Sequence, residues 1–247
     1  MQDWDEDRIK AAADLLRKAK TVAVLTGAGI SAESGVPTFR GKDGLWKRFR
    51  AEDLATPEAF GRDPKLVWEW YRWRQSLIRK IAPNPGHLTL ARWETRFERI
   101  DIITQNVDGL HRRAGSKNIL ELHGNIWKTR CTKEGTVFDS EAEPAEEGLP
   151  RCPDCGSILR PHIVWFGEML DRSVLENAFA LSAACRVMLV VGTSAYVQPA
   201  ASLPLTAIQA GAGLIEINPE PTPLTEIAHL SLRGRSGEIL PAIEAAI

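Results

Sequence analysis

Four short apolar runs, at residues 21–25, 100–104, 187–191 and 213–217, are separated by longer stretches whose apolar residues follow a helical period. Strand alternating with helix is the pattern of a parallel, doubly wound α/β sheet. The helical period is clear before the first run, where Ile9, Ala12, Ala13, Leu15 and Leu16 fall on one face, and again over 173–184. Two stretches break the alternation. Residues 41–85 are Trp-rich and helical, whereas 125–159 are rich in Cys, Glu, Pro and Gly. Both are expected to be insertions that pack together as a small second lobe, a helical module beside a zinc-ribbon-like module, with a cleft against the main sheet. The main lobe then comprises 1–40, 86–124 and 160–247. The acidic run 139–147 is expected to be a solvated loop of the small lobe.

Charge narrows the partners. Lys and Arg number 31 against 32 Asp and Glu, and no long basic run offers a track for phosphates, which argues against nucleic acid as a primary partner. The N-terminus is acidic where a signal peptide is basic, and no apolar stretch approaches the length that crosses a bilayer, so a cytoplasmic protein without a membrane partner is expected. The four cysteines are too few for a disulfide scaffold of this size; Cys131, Cys152 and Cys155 cluster in sequence as metal ligands do, and Cys185 reads as a small buried hydrophobe.

Directly after the first strand comes Gly27-Ala28-Gly29-Ile30-Ser31-Ala32, the G-x-G-x-x-A spacing that lets backbone N–H groups approach a pyrophosphate in a Rossmann-like domain. A tight strand-to-helix turn without a ligand satisfies the same spacing. An ordinary dehydrogenase would continue with a helix, a strand and an acid about twenty residues on for the ribose. Here Gly35, Pro37 and Gly41 exclude that strand, and Phe39 and Arg40 lie in a loop placed to close over a ligand.

The segment 27–40, Gly-Ala-Gly-Ile-Ser-Ala-Glu-Ser-Gly-Val-Pro-Thr-Phe-Arg, resembles the signature of the sirtuins. Further matches follow in order at 105–111, 122–124, 161–168, 192–194 and 217–220, spanning nearly the whole chain. The resemblance implies NAD as co-substrate and acylated-lysine proteins or peptides as substrate. The acyl oxygen attacks the nicotinamide ribose, nicotinamide leaves, and a ribose hydroxyl then takes the acyl group, giving O-acyl-ADP-ribose and free lysine. It implies His123 as the general base, a role suited to an imidazole at the end of a strand, with Asn106 assisting. Asn106 and Asp108 would hold the nicotinamide amide and Gln105 the ribose, with Val107 beside them. An Asx turn ahead of Gly109 is the competing reading for Asp108. The cofactor site would also include Gly27, Ala28, Gly29, Ser31, Ala32, Pro37, Thr38, Phe39, Arg40 and Trp46. On the adenosine side it would take Gly192, Thr193, Ser194, Asn218, Pro219, Glu220 and Ser236. Val164, Trp165, Phe166, Gly167 and Glu168 read as a short extended segment able to pair its backbone with a substrate peptide.

Between 64 and 81 one helical stripe is apolar (Leu66, Trp70, Trp73, Leu77), and its neighbour carries Val67, Tyr71, Arg74 and Ile78. Tyr71 and Arg74 would offer a hydroxyl and a planar guanidinium to a carboxylate. The pattern Tyr-x-x-Arg resembles the sirtuins that remove succinyl and malonyl groups, which implies desuccinylase and demalonylase activity alongside deacetylation. A salt-bridged or snorkelling surface arginine is the alternative. Cys131, Cys152 and Cys155 supply three thiols of a structural zinc site, and Glu134 stands where the family pattern expects the fourth cysteine. Mono-ADP-ribosyl transfer on the same cofactor site and a non-catalytic NAD-sensing module remain competing functions.

Overall fold

The computed structural model describes residues 5–37, 50–139 and 148–247; Thr38, Phe39, Arg40 and Trp46, with most of the acidic run, lie outside the described residues. The first helix, α1 (Glu6–Arg17), is capped by Asp5, whose carboxylate accepts the Arg8 N–H, and it buries Ile9, Ala12, Ala13 and Leu16. β1 (Thr21–Thr26) runs into the short α2 (Ala28–Ala32). Then come α3 (Ala51–Leu54), α4 (Pro57–Arg62) and α5 (Pro64–Arg79). Thr56 and Asp63 cap α4 and α5, and each of these helices has proline in its first turn, where the missing N–H costs nothing. The chain continues through α6 (Pro85–Trp93), β2 (Arg99–Thr104), α7 (Leu110–Arg113) and β3 (Ile119–Glu121). β4 (Gly124–Cys131), β5 (Val137–Asp139) and β6 (Leu159–Ile163) follow. The last third holds α8 (Arg172–Ala184), β7 (Val187–Val191), α9 (Leu203–Gln209), β8 (Gly213–Ile217), β9 (Leu230–Leu232) and α10 (Ser236–Ala246).

Six strands form one parallel sheet in the order β3-β2-β1-β7-β8-β9, which bears out the expected doubly wound architecture. Side chains alternate across it. Val22 and Val24 meet α1, α6 and α10 on one face, through Leu16, Trp93 and Ile239, whereas Ala23 and Leu25 face α8 and α9 through Ala178 and Leu203. Covered on both sides, β7 is buried at every position, which is why its sequence is uniformly apolar. The strand order reverses between β1 and β7, and at such a point the crossovers depart to opposite faces and leave a crevice at the carboxyl ends of the strands. The β9 strand, Leu-Ser-Leu, has too short an apolar run to announce itself.

A second, antiparallel sheet has the order β5-β4-β6. It packs against α5, where Val67, Trp68, Trp70 and Tyr71 meet Ile126, Trp127, Ile163 and Trp165, and the Trp68 indole donates to Leu159 O at 2.9 Å. Because β6 pairs with β4, the small sheet runs to Ile163, past the boundary expected at 160; the partner of Leu-Arg-Pro-His-Ile is invisible in its own pattern. The stripes of α5 are also reordered. Val67, Trp68, Trp70, Tyr71 and Ile78 are buried, whereas Leu66, Trp73 and Leu77 are only half-buried, so the stripe that carries Arg74 is buried at its three other positions. Among the described residues no helix is long and apolar enough to cross a membrane.

Candidate active site

The crevice is built on close contact between two strand ends. Gly27 N–H donates to Val191 O at 3.1 Å and Gly29 N–H to Gly192 O at 2.7 Å. A Cβ on Gly29 would lie 2.7 Å from Gly192 Cα and O, and one on Gly192 would lie 2.4 Å from Ile30 N. Backbone packed on backbone therefore demands glycine at both positions, and Gly192 also takes φ +61°. Ala28 and Ala32 open and close α2, Ser31 is buried, and Pro37 is exposed at the edge of the described loop.

Across this turn, β2 delivers the next group. Asn106 Nδ2 donates to Gly27 O (2.9 Å) and Ser31 Oγ (3.0 Å), and its backbone N–H to Thr104 Oγ1 (3.0 Å). Both amide hydrogens are thus committed, which fixes the side-chain orientation; its Oδ1 receives no donor among the described residues. Gln105 Nε2 donates to Thr193 Oγ1 at 3.0 Å, tying β2 to β7. Asp108 is buried and accepts the Leu110 N–H at 2.8 Å, so the Asx turn does form. Its carboxyl is pushed up by burial against the opposing pull of Leu110 N–H, Ser31 and Arg74. Val107 is half-buried against the Tyr71 cluster.

The His123 side chain follows β3 into the same space. Its Nδ1–H donates to Gln105 O at 3.0 Å, leaving Nε2 as the acceptor. Burial lowers the imidazole pKa, outweighing the Gln105 carbonyl, so the ring is neutral near pH 7. The structure thereby brings together Gly27, Ser31, Gln105, Asn106, Asp108, His123 and Thr193. Beneath them lies a pair not assigned from sequence. His87 and His111 face each other at 4.8 Å, with His87 Nε2 at 3.5 Å from Ser31 Oγ and His111 Nε2 at 3.0 Å from Thr26 Oγ1. His111 lies inside the 105–111 motif, and that was the available signal; His87 carried none.

The adenosine-side candidates divide. Gly192, Thr193 and half-buried Ser194 end β7 at the crevice. Asn218 follows β8 and donates from Nδ2 to Glu220 O at 2.7 Å, closing a loop whose Pro219 and Glu220 are exposed. That loop is braced from below by Glu216, which is buried, pairs with Arg233 at 3.1 Å, and accepts from the Thr222, Thr225 and Ser231 hydroxyls. Ser236 does not present its hydroxyl to a ligand. It is buried at the start of α10 and donates to Glu33 Oε1, which also receives the Ser236 N–H at 2.8 Å.

On the opposite wall, Tyr71 is fully buried and its hydroxyl accepts the Trp165 indole N–H at 2.8 Å; burial pushes its pKa up to about 12. Arg74 lies over the Trp70 ring at 5.1 Å and within electrostatic reach of Tyr71 and Asp108, and burial lowers its pKa. The 164–168 segment is not extended along its length. Gly167 at φ +85° and a Glu168 N–H to Trp165 O bond of 3.0 Å close a turn, while Val164 N–H is taken by His123 O and Phe166 N–H by Ala55 O. Phe166 and Gly167 are exposed at its tip. Glu168 serves Arg160, in a two-pronged pair of 2.6 and 2.8 Å, and accepts the Trp165 N–H at 2.9 Å. Burial opposes ionisation there, but those donors hold the carboxyl below its usual range. The Arg160 guanidinium, 3.4 Å from the Trp165 ring centroid, carried no signal in the sequence.

Away from the crevice, the Sγ atoms of Cys131, Cys152 and Cys155 lie within 4.8 Å of one another, Cys131 and Cys155 at 3.5 Å. Tetrahedral zinc at the usual Zn–S distance separates sulfurs by about 3.8 Å, so this donor set fits the ion. Ser157 lowers the Cys155 thiol pKa by hydrogen bonding through its hydroxyl and backbone, favouring the ligating thiolate.

The Sir2 family matches residues 27–199. A relative from Pyrobaculum aerophilum, NAD-dependent protein deacylase 2, is 53% identical over 231 residues, covering 94% of this chain and 92% of its own length. A solved complex of a Sir2 homologue with NAD shares 49% identity at a TM-score of 0.90, covering 99% of this chain and 94% of that one. A variant Sir2 homologue in complex with 2′-O-acetyl-ADP-ribose shares 50% identity at 0.89, with coverage of 98% and 96%.

Proposed function

The chain belongs to the Sir2 (sirtuin) family, and from that premise we propose that it removes acyl groups from protein lysine side chains with NAD as co-substrate. The observation that carries the reading is the fixed tautomer of His123, neutral at physiological pH and aimed from a strand end into the glycine-turn crevice. When bound, NAD would supply the C1′ carbon that exchanges nicotinamide for the acyl oxygen and the ribose hydroxyl that receives the acyl group, one water being consumed as the lysine amine is freed. His123 Nε2 takes the proton from such a hydroxyl, while Gln105 O holds the ring by Nδ1. Asn106, with both amide hydrogens spent on Gly27 O and Ser31 Oγ, offers Oδ1 to a carboxamide N–H. Gly27, Gly29 and Gly192 let the turn and the end of β7 pack backbone on backbone, the tight glycine-rich turn that a bound pyrophosphate would approach. Thr38, Phe39, Arg40 and Trp46, outside the described residues, are proposed cofactor contacts on the strength of the motif alone. Phe166 and Gly167 meet the substrate chain at the tip of their turn. The thiols of Cys131, Cys152 and Cys155 hold zinc that ties the small lobe together and takes no part in the chemistry.

The finer proposal is a preference for acidic acyl groups, with Arg74 pairing the terminal carboxylate of succinyl- or malonyl-lysine and Tyr71 orienting it. Its support is the place of Arg74 on the inward stripe of α5, beside Tyr71 and close enough to Asp108 for their charges to interact. The test is nicotinamide release with acetyl-, malonyl- and succinyl-lysine peptides by wild type, His123→Ala and Arg74→Met. His123→Ala should lose about a hundredfold or more on every peptide. Arg74→Met should lose far more on succinyl than on acetyl peptide; equal losses on both would rule out the preference, and near-normal rates for His123→Ala would rule out the base.

A further inference from the structure

The two turns that present the thiols are built alike. In 152–157, Cys152 N–H donates to Ser157 O (2.7 Å), Gly156 N–H donates to Cys152 O (2.9 Å), and Gly156 has φ +71°. In 131–136, Cys131 N–H donates to Thr136 O (2.8 Å), Gly135 N–H donates to Cys131 O (3.1 Å), and Gly135 has φ +74°. The residue before the glycine holds the same backbone position in both turns: it is Cys155, whose thiol is in the cluster, in the first, and Glu134, whose carboxylate rests on Lys133, in the other. We propose that Glu134 completes the cluster as its fourth ligand, so that the small lobe holds a metal centre of three sulfurs and one carboxylate oxygen.

Three further observations bear on this assignment, which rests on the three-thiol zinc site above. Glu134 N–H points at Cys131 Sγ at 3.3 Å, so the backbone of the turn already wraps that sulfur with a donor. The carboxylate is half-exposed and pairs with neighbouring Lys133 at 3.2 Å, a surface contact that contributes little and yields readily to a metal ion. The carboxylate has room to turn from Lys133 towards the sulfurs, because Glu134, Lys133 and Cys131 line one groove of about 490 Å³. A carboxylate also keeps the charge of the four-thiolate site it departs from, while giving zinc a harder donor than sulfur. The centre should therefore bind zinc more weakly than four thiolates would, and give it up from the Glu134 side.

Zinc affinity by competition with a chromophoric chelator, and the absorption of the cobalt-substituted protein, test this in wild type, Glu134→Ala, Glu134→Gln and Glu134→Cys. Neither readout depends on deacylation. Glu134→Ala and Glu134→Gln should weaken zinc roughly tenfold or more and alter the cobalt bands. Glu134→Cys should tighten zinc and add sulfur-to-cobalt charge transfer. Unchanged affinity and spectrum in the Ala and Gln variants would overturn the ligand assignment even if the Cys variant binds tightly. Zinc missing from wild type, with thiols reduced, would instead overturn the three-thiol site on which the proposal rests.

Discussion

Acid should destabilise this protein through His87 before most carboxylates titrate. The ring is fully buried in α6, its Nδ1 has no partner among the described residues, and burial lowers its pKa from the usual 6.5 to about 4. A depressed histidine pKa means that the unfolded chain takes up a proton near pH 6.5 while the folded chain refuses it until about pH 4. Stability is therefore intact above 6.5 and falls through the window between those values. At pH 5 the loss from this residue is about 2 kcal/mol relative to pH 7. For a chain of 247 residues that corresponds to about 4 °C in Tm. His111, shifted the same way by burial and by His87 itself, adds to the loss. The assay is urea unfolding of wild type and His87→Gln at pH 7 and pH 5. The variant should lose about 2 kcal/mol less than wild type between the two, whatever its stability at pH 7. Identical pH dependence in both proteins would refute the reasoning.

Two other substitutions read the frame of the site. Gly29→Ala places a Cβ against the backbone of Gly192, so it should raise KM for NAD at least as much as it lowers kcat, with a stability loss of about 1–3 kcal/mol in thermal unfolding. An unchanged KM would mean that the strand ends do not set the cofactor floor. Glu168→Gln strips a buried arginine of its counter-ion and should cost about 3–5 kcal/mol of unfolding free energy at pH 7. Because the Glu168 carboxyl is held below its usual range, the wild-type advantage should fade as pH drops through that lowered value, and a persistent difference in strong acid would count against the pair.

The strands at 21–26, 99–104, 187–191 and 213–217 were legible because a sheet covered on both faces requires uninterrupted apolar runs. Gln105, Asn106, Asp108 and His123 were legible because they stand in ordered motifs just past such strands. What the pattern hid is contact between distant segments. The Glu33 tether to Ser236 and the Arg160 pair with Glu168 use residue types that ordinarily face solvent, and each changes the role expected of a candidate site residue. The inward turn of the Arg74 stripe was hidden likewise, since α5 carries aromatic residues on both stripes and only packing on β4 and β6 decides between them.

Product accounting tests the central claim most directly: the protein incubated with NAD and an acetyl-lysine peptide, with nicotinamide, deacylated peptide and O-acetyl-ADP-ribose quantified together by mass spectrometry. The account predicts the three in equal amounts, with nicotinamide release dependent on the acylated peptide. Nicotinamide release accompanied by ADP-ribosylated protein and no O-acetyl-ADP-ribose, or no release at all from folded protein that binds NAD, would contradict it.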